Sequence, residues 1–293
     1  MTSTFSPFSS VAVIGAGTMG RGIALAALAA GFPVALYELQ PAALHKATEF
    51  IAAQLKKSVE KGRMTADEAA AALKRLRPTE KMADVAAAEL IIEAIVEQTE
   101  AKEEVFREIE AFGTSATTVI ATNTSSLPVS MLAARRTAPE RFVGLHFFNP
   151  ANIMKLVEVV RGARTDETTV ARAVEFARNV DKTPVVVRDV PGFIVNRVAR
   201  NFYNEAMRIA TECAAPPEQI DRILKSAGFK MGPFELMDVI GNDVNLEVTK
   251  SVAAQYFHEP RFAPSTMQQE AVYAGNFGRK TGRGFYQYSG DPT

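Results

Sequence analysis

The segment VAVIGAGTMG, residues 11–20, joins a short apolar run to three glycines spaced GxGxxG, and the apolar helical pattern of residues 22–30 follows it. In the dinucleotide-binding turn that has this spacing, Gly15 permits the tight turn and Gly17 lets backbone N–H groups approach a pyrophosphate. Gly20 lets the helix pack against the strand. The segment therefore predicts the first strand and helix of a Rossmann-like domain, with an anion site at the start of the helix.

An acidic residue stands where a ribose ligand is expected. Glu38 lies 18 positions after Gly20 and follows a second strand-like run, residues 34–37. A carboxylate accepts hydrogen bonds from a ribose diol and repels the 2′-phosphate of NADP. No arginine in residues 39–41 offsets that repulsion. We predict NAD as the cofactor.

The remaining pattern predicts two domains. As far as about residue 188, β-branched runs alternate with alanine-rich amphipathic segments, which is typical of βαβ units in a buried parallel sheet. After DVPG, residues 189–192, only helical periods follow. We predict an α/β, Rossmann-like NAD-binding domain over residues 1–190 and an all-helical substrate and dimerisation domain over 191–293. Strands are predicted at residues 11–14, 34–37, 90–95, 118–121, 142–145, 156–160 and 185–187. Helices are predicted at residues 41–60, 65–76, 100–112, 167–180, 193–213, 217–226, 234–240 and 244–257.

Composition excludes several classes of protein. The 293 residues carry 33 basic and 33 acidic side chains, so no net charge attracts nucleic acid or anionic lipid. With one cysteine, Cys213, three histidines and no CxxC or HExxH, neither a disulfide framework nor a common zinc site is expected. We expect a cytoplasmic protein whose first ten residues are a loose lead-in, with no transmembrane helix.

His146 is the best candidate for a catalytic base. No tyrosine begins the Tyr-x-x-x-Lys pattern of short-chain dehydrogenases, whereas His146 follows the strand-like run 142–145, at the edge of the sheet where ligands bind. Glu158 lies inside an apolar strand pattern, and a buried carboxylate needs a partner. That partner could be the imidazole of His146, and Lys155 and Lys102 are alternatives.

Two further polar residues could contact a substrate oxygen. Ser125 follows the predicted strand that ends at residue 121, and Asn196 lies near the start of the predicted helix 193–213. Spacing alone favours plainer roles, with Ser125 as a helix cap and Asn196 as a domain-contact residue.

Together these residues resemble the L-3-hydroxyacyl-CoA dehydrogenase family, the NAD-dependent enzymes of β-oxidation and related acyl-CoA pathways. The similarity runs from Val11 to Tyr288. It rests on VAVIGAGTMGRGIA, IIEAIVEQTEAKEEVF, ATNTSSLPVS, RFVGLHFFNP, IMKLVEVV, DVPGFIVNRV, MGPFELMDVIG and GRKTGRGFYQY. The resemblance implies oxidation of a (S)-3-hydroxyacyl-CoA, such as 3-hydroxybutyryl-CoA, to a 3-ketoacyl-CoA by a homodimer that forms through its helical domain.

The resemblance also implies residue roles. His146 matches the catalytic base and Glu158 its partner, while Ser125 and Asn196 match contacts to the reacting oxygen. Lys61 matches a contact to CoA. The cofactor contacts implied are Gly15, Gly17, Thr18, Met19, Gly20, Glu38, Glu97, Lys102, Asn123 and Asn149.

The sequence departs from the family pattern in places that leave acyl specificity open. Asn152 stands close to the implied acyl site, and the usual proline after NRV is replaced within Ala199–Tyr203. The carboxyl-terminal segment is most similar to the phenylacetate-pathway branch, whose substrate is 3-hydroxyadipyl-CoA. Two other functions compete with this one: a dehydrogenase of the same architecture acting on a sugar acid such as gulonate, and a non-catalytic NAD-binding structural protein.

Overall fold

The computed structural model describes residues 8–288, and the chain divides between Val190 and Pro191 into two compact units. The strands of the first unit are β1 (Val11–Ile14), β2 (Val34–Tyr37), β3 (Leu76–Thr79), β4 (Leu90–Glu93), β5 (Val119–Thr122), β6 (Phe142–Phe147), β7 (Leu156–Arg161) and β8 (Thr183–Arg188). Its helices are α1 (Thr18–Ala29), α2 (Pro41–Glu60), α3 (Ala66–Lys74), α4 (Met82–Ala86), α5 (Thr99–Ala111), α6 (Val129–Ala133) and α7 (Glu167–Asn179).

All the strands of the first unit form one sheet in the order β3-β2-β1-β4-β5-β6-β7-β8. The strands pair in parallel except at β6 and β7, which are antiparallel. The parallel sheet that the sequence predicts is therefore found, with one antiparallel pair that was not predicted. Only residues 148–155 connect β6 to β7, and such a connection is too short for a parallel crossover, which needs a dozen residues or more.

The edge strand β3 was not predicted from the sequence. The sequence predicts one helix over residues 65–76, whereas α3 ends at Lys74 and β3 begins at Leu76. The strand LRPT has one large apolar residue and a proline, so its own sequence gives little strand signal. It forms because it pairs with β2 at the edge of the sheet, where proline is tolerated.

The start of the described chain is better packed than expected. Residues 1–7 of the predicted lead-in lie outside the described residues, but Phe8 is buried in the core. Its ring lies 6.3 Å from that of Phe176, and the guanidinium of Arg172 lies 4.1 Å over it. Over the described part of the chain, no helix is both long and apolar enough to span a bilayer.

The second unit is helical, as the sequence predicts. Its helices are α8 (Val195–Thr211), α9 (Pro217–Ser226), α10 (Pro233–Ile240), α11 (Asn242–Gln255) and α12 (Thr266–Tyr273), of which α12 was not predicted. Tyr203, Met207 and Phe234 are among the residues of its core. Asp238 accepts hydrogen bonds from the Phe285 and Tyr286 N–H groups, each at 2.9 Å, and so ties the last described segment to α10.

Candidate active site

The glycine turn between β1 and α1 has the geometry that its sequence predicts. Gly15 adopts a φ of +96°, where glycine is favoured, and a Cβ on Gly20 would lie 1.7 Å from the Gly15 carbonyl oxygen. A Cβ on Gly17 would meet no heavy atom within 4 Å, so the turn faces open space on that side. The first N–H groups of α1, from Thr18 and Met19 onward, have no acceptor within the helix. The turn therefore fits the phosphates of a dinucleotide.

Glu38 lies beside this turn. Its carboxylate accepts hydrogen bonds from the N–H of Ala16 at 3.0 Å and of Gln40 at 3.2 Å. These bonds fix an acidic group at the carboxyl end of β2, next to the anion site at the start of α1. A carboxylate in this position suits a ribose diol and disfavours an added 2′-phosphate. The residues present fit NAD.

His146 and Glu158 form a buried pair across the antiparallel strands. They lie directly opposite each other in the register of β6 and β7, and His146 Nδ1 is 2.7 Å from Glu158 Oε2. Glu158 is fully buried, whereas 7% of the His146 side chain is exposed. The ring of Phe148 lies 4.5 Å from the imidazole, centroid to centroid. The antiparallel pairing thus brings together two residues that are 12 positions apart.

The two lysines that could have been the partner of Glu158 pair with other carboxylates. Lys155 contacts Asp181 at the surface. Lys102 is 1% exposed, and its Nζ lies 2.6 Å from Glu93 Oε1 and 3.2 Å from Glu97 Oε2. Of the three candidates, the imidazole of His146 is the one that reaches Glu158.

Side-chain hydrogen bonds link the carboxyl ends of β4, β5 and β6. The Thr122 hydroxyl donates to Glu93 Oε2 at 2.6 Å, and Asn123 Oδ1 accepts the N–H of Phe147 at 2.9 Å. Phe147 adjoins His146 in β6. Hydrogen bonds therefore link the buried Glu93–Lys102 pair to the strand end that carries the imidazole.

Glu97 holds the turn that contains Ser125. Its Oε1 accepts from the hydroxyl of Thr124 at 2.6 Å, from the N–H of Ser125 at 2.8 Å, and from the N–H and hydroxyl of Ser126 at 3.0 Å each. Burial would raise the pKa of the Glu97 carboxyl, but the charge of Lys102 and these hydrogen bonds outweigh it and lower the pKa. Glu97 is therefore a charged anchor for the residues that follow β5.

The other predicted site residues belong to three different segments of the chain. Asn149 is exposed in the segment after β6, and Lys61 is exposed at the carboxyl end of α2. Asn196 belongs to the second unit and lies in the first turn of α8.

Glu93 was not predicted to be a buried, paired carboxylate, although the sequence around it indicates one. It interrupts the apolar run LIIEAIV, residues 90–96, in the same way that Glu158 interrupts its own strand. The rule that a buried carboxylate needs a partner applies equally to both residues. Thr122, its hydroxyl partner, has no comparable signal, because a threonine at the end of a strand is common.

This arrangement suits proton transfer next to a bound dinucleotide. An imidazole whose Nδ1 is held by a carboxylate is fixed in orientation, and its cation is stabilised when it takes a proton. His146 lies at the carboxyl end of β6, the edge of the sheet at which the glycine turn and Glu38 also lie. The described geometry therefore supports base chemistry on a hydroxyl group.

Comparison with known proteins agrees with this geometry. The family model for the NAD binding domain of 3-hydroxyacyl-CoA dehydrogenase matches residues 10–190, and the model for the C-terminal domain of that family matches residues 192–288. A 3-hydroxyadipyl-CoA dehydrogenase of Escherichia coli is 47% identical over 279 residues, which are 95% of this chain and 58% of that protein. A probable 3-hydroxybutyryl-CoA dehydrogenase of Bacillus subtilis is 38% identical over 279 residues, which are 95% of this chain and 96% of that protein.

Solved structures give the same result. The crystal structure of a 3-hydroxybutyryl-CoA dehydrogenase from Escherichia coli matches with a TM-score of 0.94 and 45% identity, over 98% of this chain and 61% of that one. The (S)-3-hydroxybutyryl-CoA dehydrogenase from Ralstonia eutropha matches with a TM-score of 0.92 and 37% identity, over 97% of this chain and 100% of that one. The chain thus spans less than two thirds of the Escherichia coli proteins but nearly all of the Bacillus subtilis and Ralstonia eutropha proteins. The resemblance in the sequence motifs is confirmed, and the chain belongs to the 3-hydroxyacyl-CoA dehydrogenase family.

Proposed function

We propose that this chain catalyses the reversible, NAD-dependent oxidation of a (S)-3-hydroxyacyl-CoA, such as 3-hydroxybutyryl-CoA, to the 3-ketoacyl-CoA. The observation that carries this proposal is the buried His146–Glu158 pair, with 2.7 Å between Nδ1 and Oε2, at the carboxyl end of β6. Family membership supplies the substrate class, and the glycine turn with Glu38 supplies the cofactor preference. The chain is accordingly an enzyme rather than a structural protein.

His146 acts as the general base in this proposal. Because Nδ1 faces Glu158, Nε2 is the nitrogen that takes the proton of the 3-hydroxyl group. Glu158 holds the ring in one tautomer and stabilises the imidazolium that forms. NAD, held by the glycine turn and Glu38, would supply the acceptor for the hydride of carbon 3. In the reverse direction the imidazolium returns its proton to the keto oxygen.

Ser125 and Asn196 orient the reacting oxygen. Glu97 supports this assignment for Ser125, because it fixes the backbone N–H of that residue at 2.8 Å and so sets the position of the turn. Asn149 lies near the nicotinamide, and Lys61 contacts CoA. A fixed donor geometry lowers the barrier, since the reactant no longer has to lose that freedom in the reaction.

The cofactor is held by the glycine turn and by the ends of the strands. Gly15, Gly17 and Gly20 bring the backbone to the pyrophosphate, and Glu38 accepts the ribose hydroxyl groups. The remaining contacts are Thr18, Met19, Glu97, Lys102 and Asn123. Lys102, in α5, is held in place by Glu93, and the side chain of Asn123 is held by the N–H of Phe147.

We further propose a cytoplasmic homodimer that forms through the second unit. Of the apolar residues that suit either a core or an interface, Phe202, Ile209, Leu224 and Leu236 pack against the core of that unit. Ile223 is 53% exposed and Phe229 51% exposed, so both are candidates for a subunit interface. A single exposed cysteine, Cys213, suits a reducing compartment. Sedimentation of the purified chain tests the dimer.

The initial rate of NADH oxidation with acetoacetyl-CoA tests the proposed reaction. We expect turnover with NADH and much slower turnover with NADPH, because Glu38 repels the 2′-phosphate. Free CoA should compete with acetoacetyl-CoA. A gulonate-type dehydrogenase would instead oxidise the sugar acid and ignore CoA.

A negative result would be informative. Binding of NADH, followed by its fluorescence, shows that the protein is folded and that the glycine turn is competent. If NADH binds but no acyl-CoA turns over, the proposed reaction is wrong and a non-catalytic NAD-binding protein is the better account.

A further inference from the structure

Arg200 is a buried cation without a carboxylate partner. It lies in α8, its exposure is 2%, and among residues 8–288 no carboxylate forms an ion pair with it. The mechanism proposed above gives it no role. A buried charge is normally paired, because its transfer out of water is costly. Arg200 therefore requires an explanation.

The protein fixes only one side of this guanidinium. Nη1 donates to the Asn245 carbonyl at 2.9 Å and to the Thr249 hydroxyl at 2.6 Å, and the guanidinium lies 5.0 Å from the centre of the Tyr203 ring. Nε is buried and has no acceptor among the described residues. Nε and Nη2 form the edge of a guanidinium that binds a carboxylate with two parallel hydrogen bonds.

A second polar group in the same cluster also lacks partners. Both side-chain polar atoms of Asn245, Nδ2 and Oδ1, are buried and without hydrogen-bond partners in the described chain. Asn245 and Thr249 are buried on α11 and four residues apart, so they share one face of that helix. The cluster of Arg200, Asn245 and Thr249 thus holds one positive charge and unused donors.

The charge persists at neutral pH. Burial lowers the pKa of Arg200 to about 10, which still leaves the guanidinium protonated near pH 7. A neutral ligand would leave this charge uncompensated. An anion with two acceptor oxygens would satisfy the free edge and the charge together.

The position of Arg200 relative to Asn196 indicates which part of the substrate carries such an anionic group. Arg200 follows Asn196 by four residues in α8, so both lie on the same face, about 6 Å apart along the helix axis. Asn196 is the proposed contact to the oxygen on carbon 3. In a six-carbon diacid, the terminal carboxyl carbon lies three bonds of about 1.5 Å beyond carbon 3. The oxygens of that carboxyl group therefore reach one helical turn along α8, from Asn196 to Arg200.

We infer that Arg200 binds a carboxylate at the far end of the acyl group, with Asn245 as an additional donor, and so selects 3-hydroxyacyl-CoA substrates that end in a carboxylate. This inference rests on the proposed function, because it places carbon 3 at Asn196. It makes Arg200 a specificity residue rather than a residue of the chemical step.

The test compares two substrates of equal length. The ratio of kcat/KM for 3-ketoadipyl-CoA to kcat/KM for 3-ketohexanoyl-CoA isolates the terminal carboxylate, since the second substrate carries a methyl group there. We expect the wild-type ratio to be well above one. In Arg200→Met it should fall about 100-fold, as expected for the loss of charged hydrogen bonds. The rate with acetoacetyl-CoA should change only a few-fold.

Two variants control the result. Arg200→Lys keeps the charge but loses the forked geometry, so the ratio should fall about 10-fold. Arg208→Met removes a charge from the exposed side of the same helix, where Arg208 pairs with Glu205, and should leave the ratio unchanged. Inhibition of the wild type by unreactive adipyl-CoA and hexanoyl-CoA gives the same preference without turnover. That measurement decides the question if Arg200→Met does not fold.

The outcomes separate this inference from the proposed function. If neither ketoacyl-CoA turns over, the proposed function fails and the inference falls with it. If both turn over with a ratio near one in the wild type, or if Arg200→Met keeps the wild-type ratio, the proposed function stands and the carboxylate site is wrong.

Discussion

Buried charges are handled differently in the two units of this chain. In the first unit several have a counter-charge: Lys102 lies 2.6 Å from Glu93, and Arg136 lies 2.6 Å from Glu103. Glu158, also buried, faces the imidazole of His146. In the second unit, Arg200 is equally buried, yet its hydrogen-bond partners are neutral. Internal pairing explains the first set within the fold, whereas Arg200 points to a charge that comes from outside the chain.

The largest effect on activity should come from changing the His146–Glu158 pair, which acts on the reacting hydroxyl group. In His146→Gln the amide can still contact Glu158, but it cannot take a proton from the substrate. We expect kcat for acetoacetyl-CoA reduction to fall about 10³-fold, within the range for general acid–base catalysis. NADH affinity, measured by fluorescence titration, should be unchanged. Near-normal turnover in a folded variant would remove His146 from the mechanism.

The next effect concerns stability. Lys102→Met leaves Glu93 and Glu97 without their cation, and Glu93 is fully buried. We expect the free energy of unfolding to fall by about 3 kcal/mol or more, since an unpaired buried charge is strongly destabilising. Urea denaturation followed by circular dichroism measures the change.

A double variant identifies the cause. Lys102→Met combined with Glu93→Gln removes both members of the pair, so part of the lost stability should return. If the double variant is no more stable than Lys102→Met, the loss comes from packing of the lysine side chain rather than from the uncompensated carboxylate.

The sequence was most informative where a residue type has a single structural reason to occur. Gly15, at φ +96°, and Gly20, against the Gly15 carbonyl, could be predicted because no other residue fits at these two positions. The partner of Glu158 was left open, because its identity depends on the antiparallel register of β6 and β7, which local pattern does not give. Strand β3 was missed for the same reason, since pairing with β2 creates it.

Arg200 shows another limit of prediction from sequence. In the sequence it lies among the residues that replace the usual proline, and nothing there distinguishes a buried guanidinium from an exposed one. Its significance appears only with its burial and with the partners on α11. Those contacts join residues that are 45 and 49 positions apart. A sequence pattern can predict that a buried carboxylate has a partner. It cannot show that a buried cation lacks a counter-charge within the chain.

A smaller effect is expected from acidification. Because the folded chain lowers the pKa of Glu97 below its ordinary value of 4.5, Glu97 adds stability above that value. This contribution is lost as the pH falls from about 4.5 through the lower folded pKa. Between about pH 6 and pH 4, the Tm of the wild type should therefore fall slightly more than that of Glu97→Gln. Glu100→Gln, a change of an exposed residue in the first turn of the helix that follows Glu97, should behave like the wild type.

The smallest change should be in the stability of the unliganded Arg200→Met variant. Methionine is unbranched and apolar, and replacing a buried charge by an apolar group of similar volume is often neutral or stabilising. The Thr249 hydroxyl still donates to the Asn245 carbonyl at 2.8 Å, so no acceptor is stranded. We expect urea denaturation to give a free energy of unfolding within about 1 kcal/mol of the wild type, or above it. A loss as large as that of Lys102→Met would mean that the fold itself needs the Arg200 charge, and the contrast between the two units would disappear.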